Sequence, residues 1–168
     1  MTMTLIETIT VGSGGAASIE FTGIPQDGKD LQILMSFGSN FATVPGADYC
    51  SITFNSDTGS NYPNLFLYGD GSTAASFGFT GTASRTPWFE QDASGDFGNM
   101  SCYISNYASS SAKSISYDGV SEQNATAATQ ALVASGWTGT DAITSIQISP
   151  VQGTLLVEHS TASLYIIS

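Results

Sequence analysis

The chain has 168 residues, of which 41% are hydrophobic and only 10% are charged, against roughly 25% charged in an average soluble domain. Three Lys and Arg residues face fourteen Asp and Glu residues, giving a formal net charge of −11. So few cations cannot neutralise a nucleic-acid backbone, and an anionic membrane surface would repel the chain. We therefore expect no nucleic-acid or membrane partner, and a folded protein with a hydroxyl-rich surface.

The first apolar run, residues 5–11, leads into the sequence Gly12-Ser13-Gly14-Gly15-Ala16-Ala17. This spacing matches the glycine fingerprint of a dinucleotide-binding turn, which holds phosphates only when a helix follows the glycines. Residues 19–22 alternate between apolar and polar instead, and Gly23 and Pro25 end that run. The segment therefore predicts a corner between two strands.

The rest of the chain alternates between apolar and polar residues in short runs, separated by turns rich in Gly, Ser, Asn and Asp. The predicted strands are residues 4–10, 18–22, 30–37, 49–55, 64–68, 75–79, 87–91, 99–105, 113–120, 142–149, 154–158 and 163–167. The Ala-rich segment 122–135 fits either a helix capped by Asn124 or a strand running to Trp137, and we favour the strand. This pattern predicts one all-β domain spanning 1–168, a jelly roll or an enlarged antiparallel β-sandwich.

Two cysteines, Cys50 and Cys102, each lie in an alternating run. Two cysteines do not make a disulfide framework, so buried free thiols are favoured over a cross-strand bridge. The first ten residues have no basic start and include Glu7. We expect neither a signal peptide nor a transmembrane segment.

Catalytic chemistry has few candidates in this sequence. His159 is the only histidine, and its neighbour Ser160 would face the opposite side of a strand. The best carboxylate pair for glycosidase-type catalysis is Glu90 with Asp92, although a polar edge and turn explains that pair more simply. We predict that the chain is not an enzyme and has no catalytic residues.

Calcium is the one cofactor that the sequence suggests, because two turns are rich in side-chain oxygens. The candidate ligands are Asp92, Asp96 and Asn99 in one turn, and Asn55, Asp57 and Asn61 in the other. Neither turn matches an EF-hand loop. Asx-rich turns usually bond their own backbone, so local hydrogen bonding is favoured over a metal.

Four aromatic residues near turns are candidates for a protein interface or a sugar-binding platform, because Trp and Tyr give amphipathic contact area. They are Tyr62, Trp88, Tyr107 and Trp137. Packing within the core and rim of a sandwich is the alternative, and we favour it for each residue.

Several phrases taken together resemble a known group of proteins. They are LIETITVGSGGAASIEFTGIP, ITFNSDTGSNYPNLFLYGDGS, YISNYASSSAKSISYDGVSEQNATA, and WTGTDAITSIQIS followed by LLVEHSTASLYII. These phrases are similar to small structural proteins of marine and cyanobacterial tailed phages, which serve as capsid decoration (cement) proteins or as parts of fibres. The likeness extends over nearly the whole chain and consists of strand and turn patterns without a catalytic set.

Of the two roles that the resemblance implies, we expect a decoration protein on the outer capsid surface, because the sequence shows no heptads or repeat of the kind that forms a fibre stalk. Its partners would be the major capsid protein and further copies of itself, with a trimer as the expected oligomer because cyclic symmetry dominates assemblies. Many copies would bridge neighbouring capsomers and oppose the pressure of packaged DNA. The alternative function is a receptor- or glycan-binding module of a tail fibre or spike, and a polysaccharide-degrading enzyme is a remote third.

Overall fold

The computed structural model describes residues 2–42, 46–91, 97–122 and 128–168, with the backbone alone at Gly46, Glu90 and Gln91. These ranges form fourteen β-strands and contain no helix, which confirms the predicted all-β class. The strands are β1 Met3–Thr10, β2 Ile19–Thr22, β3 Asp30–Phe37, β4 Gly46–Asp48, β5 Cys50–Phe54, β6 Tyr62–Gly69, β7 Ala74–Gly81, β8 Ser84–Arg85, β9 Phe89–Gln91, β10 Gly98–Ile104, β11 Lys113–Glu122, β12 Ala128–Trp137, β13 Ser145–Pro150 and β14 Thr161–Ile167. Among the described residues we find no helix of the length and apolarity that a membrane crossing requires.

Two antiparallel sheets contain twelve of the strands. The large sheet has the order β1-β14-β3-β10-β11-β12-β6-β7, and the small sheet has the order β2-β13-β5-β8. The remaining strands, β4 and β9, pair with each other.

Eight of the strands follow the path of a jelly roll, because the chain passes repeatedly from one sheet to the other. Of these eight, β1, β3, β10 and β14 lie in the large sheet, and β2, β5, β8 and β13 lie in the small sheet. The four-stranded group β1-β14-β3-β10 therefore faces the four-stranded group β2-β13-β5-β8. The first and last strands of the domain, β1 and β14, are neighbours. Of the two predicted sandwich forms, the fold is a jelly roll whose large sheet is widened by four strands.

The alternating apolar residues of both sheets fill the space between them. Leu31, Ile33 and Phe37 of β3 and Ile52 and Phe54 of β5 are all fully buried and belong to one hydrophobic cluster. Because side chains alternate across a strand, the polar residues between them lie on the outer faces. Sequence alternation thus places the core directly.

Both cysteines are buried and unpaired, which confirms the prediction of free thiols. Burial raises the pKa of Cys102 to about 12 and raises that of Cys50 well above its usual value. Neither thiol is a reactive nucleophile in this environment.

The four added strands, β11, β12, β6 and β7, form an extension of the large sheet that we call the wing. Residues 86–91 cover part of its inner face: the ring of Trp88 lies 5.1 Å from that of Phe66 and 5.0 Å from that of Tyr68. In β11 only glycine fits at Gly119, where an added Cβ would lie 2.5 Å from Cβ of Pro87. The strand favoured for the Ala-rich segment is confirmed as β12, and residues 123–127 of that segment lie outside the described residues.

One predicted strand, residues 154–158, is wrong. A side chain takes up the first two backbone donors of this segment: Asn40 Oδ1 accepts from the N–H groups of Thr154 (2.8 Å) and Leu155 (2.9 Å). The next two N–H groups, of Leu156 and Val157, donate to Ala16 O (2.8 Å) and Gly38 O (3.0 Å), and Leu156 forms only isolated bridges. Just before this segment, the buried carboxylate of Asp48 accepts from Gln152 N (2.8 Å) and Gly153 N (3.0 Å). Side-chain acceptors of this kind compete with strand pairing for the backbone donors. The sequence analysis also missed β4 and β8, which are too short to show alternation.

The glycine segment after β1 is a corner between two strands, as predicted. Gly14 and Gly15 adopt positive φ angles of 94° and 78°. The N–H of Gly15 donates to Gly12 O (3.2 Å), and the N–H of Ala16 donates to Leu156 O (3.0 Å). These donors are therefore occupied by the protein's own carbonyls, and β2 follows without a helix.

Candidate binding surface on the wing

The outer face of the wing carries a block of exposed leucines. Leu67 of β6 lies directly opposite Leu132 of β12, and Leu65 lies opposite Ala134. Leu65 and Leu67 are each 56% exposed and Leu132 is 49% exposed. Side chains directly opposite in an antiparallel pair are in contact distance, so these residues form one continuous apolar patch.

A groove of about 700 Å³ adjoins this patch on the same face. It is lined by Leu67, Phe97, Asn99, Val120, Gln130 and Leu132, among others. Val120 is 48% exposed and Phe97 is 36% exposed. The groove thus extends the apolar patch across β12 onto β11.

The rest of the outer face is mostly hydroxyl-bearing. From Leu132 the same cross-strand row continues through Asp118, Ser101, Leu34, Ser163 and Thr8. Leu34 is exposed in that row but has serine on each side, so it stands alone. An isolated exposed leucine needs no explanation, whereas a contiguous apolar patch marks an interaction site.

Negative charge borders the leucine patch. Asp118 lies opposite Leu132 on the outer face, and the exposed Glu122 lines the groove. We call Leu65, Leu67, Leu132 and Val120, with these two carboxylates, the wing surface. An apolar centre with an anionic border is complementary to an apolar partner bordered by Lys or Arg.

Two of the three cations in the chain serve internal packing. The guanidinium of Arg85 lies over the rings of Tyr49 (4.7 Å) and Phe79 (4.9 Å). The ammonium of Lys113, which is only 2% exposed, donates to the carbonyls of Ser109 (2.9 Å), Asp141 (3.0 Å) and Ser111. Burial lowers the pKa of Lys113. Positive charge on the protein surface is therefore scarcer than the composition alone implies.

The predicted calcium ligands are only partly described. Asp92 and Asp96 lie outside the described residues, and Asn99 is exposed on the outer face of β10, at the groove. Within the ranges that the structure describes, no three His, Cys, Asp or Glu side chains come together as a metal site. At the first turn, calcium stays the untested alternative to local hydrogen bonding.

The second predicted calcium turn is closed by hydrogen bonds. The carboxylate of Asp57 accepts from Trp137 Nε1 (2.7 Å), Asn61 Nδ2 (2.9 Å) and Gly59 N (2.8 Å). The bond from Trp137, followed by those from Asn61 and Gly59, lowers the pKa of Asp57. Asn55 Oδ1 in turn accepts from Thr144 N (2.9 Å). The bonds from Gly59 and Asn61 are the local ones that the sequence predicts, whereas those from Trp137 and Thr144 come from segments distant in sequence.

Three of the four predicted interface aromatics lie in the core instead. Tyr62 and Tyr107 are fully buried and Trp137 is 3% exposed. Trp88 is half-buried on the inner face of the wing. The packing alternative therefore accounts for Tyr62, Tyr107 and Trp137, because a buried side chain contributes no contact area to a partner.

Of the residues weighed for catalysis, the structure describes the side chains of His159 and Ser160. His159 is exposed in a turn with φ of 74°, while Ser160 is buried and exchanges hydrogen bonds with the N–H and carbonyl of Gly38 (3.1 Å each). The side chain of Glu90 and the whole of Asp92 lie outside the described part of the chain.

The sequence analysis missed the wing surface, although β6 carries a signal for it. The segment NLFLYG has apolar residues at consecutive positions, so both faces of the strand are apolar. Such a strand in an antiparallel sandwich is either covered on both faces or left with an exposed apolar face. Recognising β6 as a two-faced apolar strand would have drawn attention to Leu65 and Leu67.

No protein-family model, curated protein or solved structure matches this chain. The wing surface and the jelly-roll scaffold are therefore the features from which a function is inferred.

Proposed function

We propose that the chain is a virion structural protein: a capsid decoration (cement) protein that binds the outer shell through the wing surface. The observation that carries this proposal is the contiguous leucine patch with its carboxylate border on a regularly paired sheet. The sequence resemblance to phage structural proteins points in the same direction. An apolar sheet face of this kind is suited to holding another protein surface, since it needs shape and burial rather than chemistry.

The energetics of such a contact follow from the exposed area. Fully burying a leucine side chain contributes about 1.5–3 kcal/mol, so covering three half-exposed leucines contributes roughly 3 kcal/mol before the entropic cost of association. One contact of this strength is weak. Many copies bound to one shell act together, because a ligand that binds only the assembled state stabilises it by mass action.

The charge of the wing surface defines the partner. Because Asp118 and Glu122 border the leucines, the facing surface on the shell would carry apolar side chains bordered by Lys or Arg. The major capsid protein is the proposed partner. The trimer that we predict with the sequence resemblance is untested, and the edge of the large sheet favours a dimer instead, as argued below.

Binding to shells tests this proposal directly. The purified protein is mixed with heads of the encoding phage that lack it, and the bound fraction is measured by co-sedimentation. Leu67→Asp and Leu132→Asp should each lower the bound fraction at least tenfold, since each places a charge in the patch. Leu34→Asp is the matched control, because Leu34 is 42% exposed on the same face but outside the patch; it should bind like the wild type.

Other outcomes would overturn the proposal. Cement binding requires hundreds of copies per particle and a higher shell melting temperature when the protein is present. Wild-type protein that fails to sediment with shells, or that is present in only tens of copies at the tail, contradicts the cement role. Binding of the isolated protein to host cells or glycans would favour the fibre alternative.

A further inference from the structure

The last strand of the large sheet, β7, has a free edge: among the described strands only β6 pairs with it. Two hydrogen bonds reveal which backbone groups face that edge. Asp70 N donates to Thr73 O (3.2 Å) at the end of the β6–β7 hairpin, and Ser135 Oγ of β12 donates to Pro63 O (3.0 Å). Even-numbered residues of β6 therefore direct their backbone groups toward β7, and odd-numbered residues direct theirs toward β12.

The register between β6 and β7 shows which residues of β7 direct their backbone groups to β6 and which direct them to the free edge. Phe66 lies opposite Phe77, so the odd-numbered residues of β7 bond to β6. The even-numbered residues direct their N–H and C=O groups to the free edge. These residues are Ala74, Ser76, Gly78 and Thr80.

The chemistry of this edge is unusual for an exposed strand. All four residues are small and uncharged, and residues 71–84 contain no charged side chain. In soluble proteins, charges, prolines or bulges usually keep an exposed edge strand from pairing with another chain. The opposite edge of the same sheet follows that rule, because β1 has a register shift between Leu5 and Glu7 and carries the charge of Glu7. The β7 edge has none of these devices.

An aromatic side chain lies at the middle of the edge strand. Phe77 is 42% exposed on the inner face, where its ring stacks on that of Phe66 with centroids 4.7 Å apart and an interplanar angle of 4°. If β7 paired with another β7 about a two-fold axis at Phe77, the two Phe77 rings would be cross-strand neighbours. Such aromatic pairs stabilise antiparallel strands.

We propose that a second copy of this chain occupies the β7 edge, pairing antiparallel about a two-fold axis centred on Phe77. Ser76 then lies opposite Gly78 of the second copy, and Ala74 lies opposite Thr80. All four edge residues of each copy take part, which gives about eight backbone hydrogen bonds in the alternating pattern of antiparallel pairs. A two-fold contact of one surface with itself closes at two subunits.

A second copy fits this edge better than a charged partner does. Each copy carries a net charge of −11, so two copies approach most easily where charge is absent, and the uncharged strand β7 provides that place. At physiological salt, charges beyond about 8 Å are largely screened. The contact uses the edge of the wing and leaves Leu67 and Leu132 uncovered, so it does not depend on the proposed capsid function.

Cysteine cross-linking tests the register. In a non-hydrogen-bonded antiparallel pair the Cα atoms are about 4.5 Å apart, within the range of a disulfide. Phe77→Cys should therefore give a covalent dimer under mild oxidation. Ala75→Cys is the control, because two copies of residue 75 would lie four residues out of register, about 13 Å apart. The native Cys50 and Cys102 are buried and unpaired, so they should not contribute.

Dimerisation of the wild type and of variants that keep Phe77 tests the contact independently of the cysteine substitutions. Sedimentation of the wild type should give twice the 17.4 kDa of one chain. Ser76→Pro removes one edge donor per copy, two bonds per dimer, and should weaken dimerisation roughly tenfold or more. Met3→Pro is the control at the free edge of β1: the N–H of Thr2 donates to Ser168 O, so that of Met3 faces outward.

Three results together support the inference: the wild type is a dimer, Phe77→Cys forms a cross-link, and Ser76→Pro but not Met3→Pro weakens dimerisation. The inference is overturned if the wild type is a monomer or a trimer at about 100 μM. It is also overturned if Ala75→Cys cross-links as well as Phe77→Cys, or if Ser76→Pro associates as strongly as the wild type. A trimer would instead support the oligomer predicted from the sequence resemblance. None of these measurements requires capsids, so their failure is distinct from failure of the proposed function.

Discussion

Replacing Asp57 by alanine should destabilise the fold through the loss of one particular hydrogen bond. The carboxylate accepts from Trp137 Nε1 (2.7 Å), Asn61 Nδ2 (2.9 Å) and Gly59 N (2.8 Å). Trp137 is 3% exposed, so Asp57→Ala leaves a buried indole N–H without its acceptor. A buried unsatisfied donor costs about 1–3 kcal/mol, and the two bonds closer to solvent add less than 1 kcal/mol each. We expect a total loss of about 2–3 kcal/mol.

Chemical denaturation followed by tryptophan fluorescence and circular dichroism measures this loss. For a domain of this size, about 2–3 kcal/mol corresponds to a melting temperature lower by roughly 4–12 °C. Asp70→Ala is the matched control. Asp70 also closes a turn, accepting from Ser72 N (2.9 Å) and Thr73 N (2.6 Å), but both donors are exposed to water, so its replacement should leave the melting temperature close to the wild-type value.

The pH dependence gives a second check on the same residue. Its hydrogen bonds, with that of Trp137 first, hold the pKa of Asp57 below its usual 3.8. A carboxyl whose pKa is lowered by folding contributes stability above its unfolded pKa and loses it as the pH falls through the folded pKa. The difference in unfolding free energy between wild type and Asp57→Ala should therefore be constant above about pH 5 and shrink below pH 4. Equal stability of Asp57→Ala and Asp70→Ala would refute the argument.

Three further substitutions or measurements probe the scaffold. Lys113→Met leaves three carbonyls without their donor and should cost roughly 3 kcal/mol of unfolding free energy in urea, whereas Lys29→Met at an exposed position should cost nothing measurable. Gly119→Ala places a Cβ 2.5 Å from the rigid ring of Pro87 and should cost about 2 kcal/mol. Gly12→Ala, with nothing within 4 Å, is its control and should keep the wild-type melting temperature. Because burial raises the pKa of Cys102 to about 12, a thiol reagent should label neither cysteine at pH 8 until the chain unfolds; prompt labelling would contradict their placement in the core.

Local patterning in the sequence determined where most strands lie and which residues fill the core. Alternation is a property of neighbouring residues, so β3 was predicted with its bounds Asp30–Phe37 unchanged. The corner at Gly12–Ala17 was likewise predictable, because Gly23 and Pro25 leave no room for a helix. The same local reasoning failed for residues 154–158, because the N–H groups of Thr154 and Leu155 bond to the side chain of Asn40, more than 100 residues away.

The extent of the candidate binding surface was decided by tertiary structure. Of the predicted site residues that the structure describes, only Asn99 reaches the groove, whereas Tyr62, Tyr107 and Trp137 are buried. The sequence of β6 shows two apolar faces but does not show which residues of other strands lie beside them. β6 pairs with β12, some 60 residues further along the chain, and this pairing brings Leu67 beside Leu132 on the outer face, away from the small sheet. An apolar strand looks the same in sequence whether a second sheet lies over it or water does.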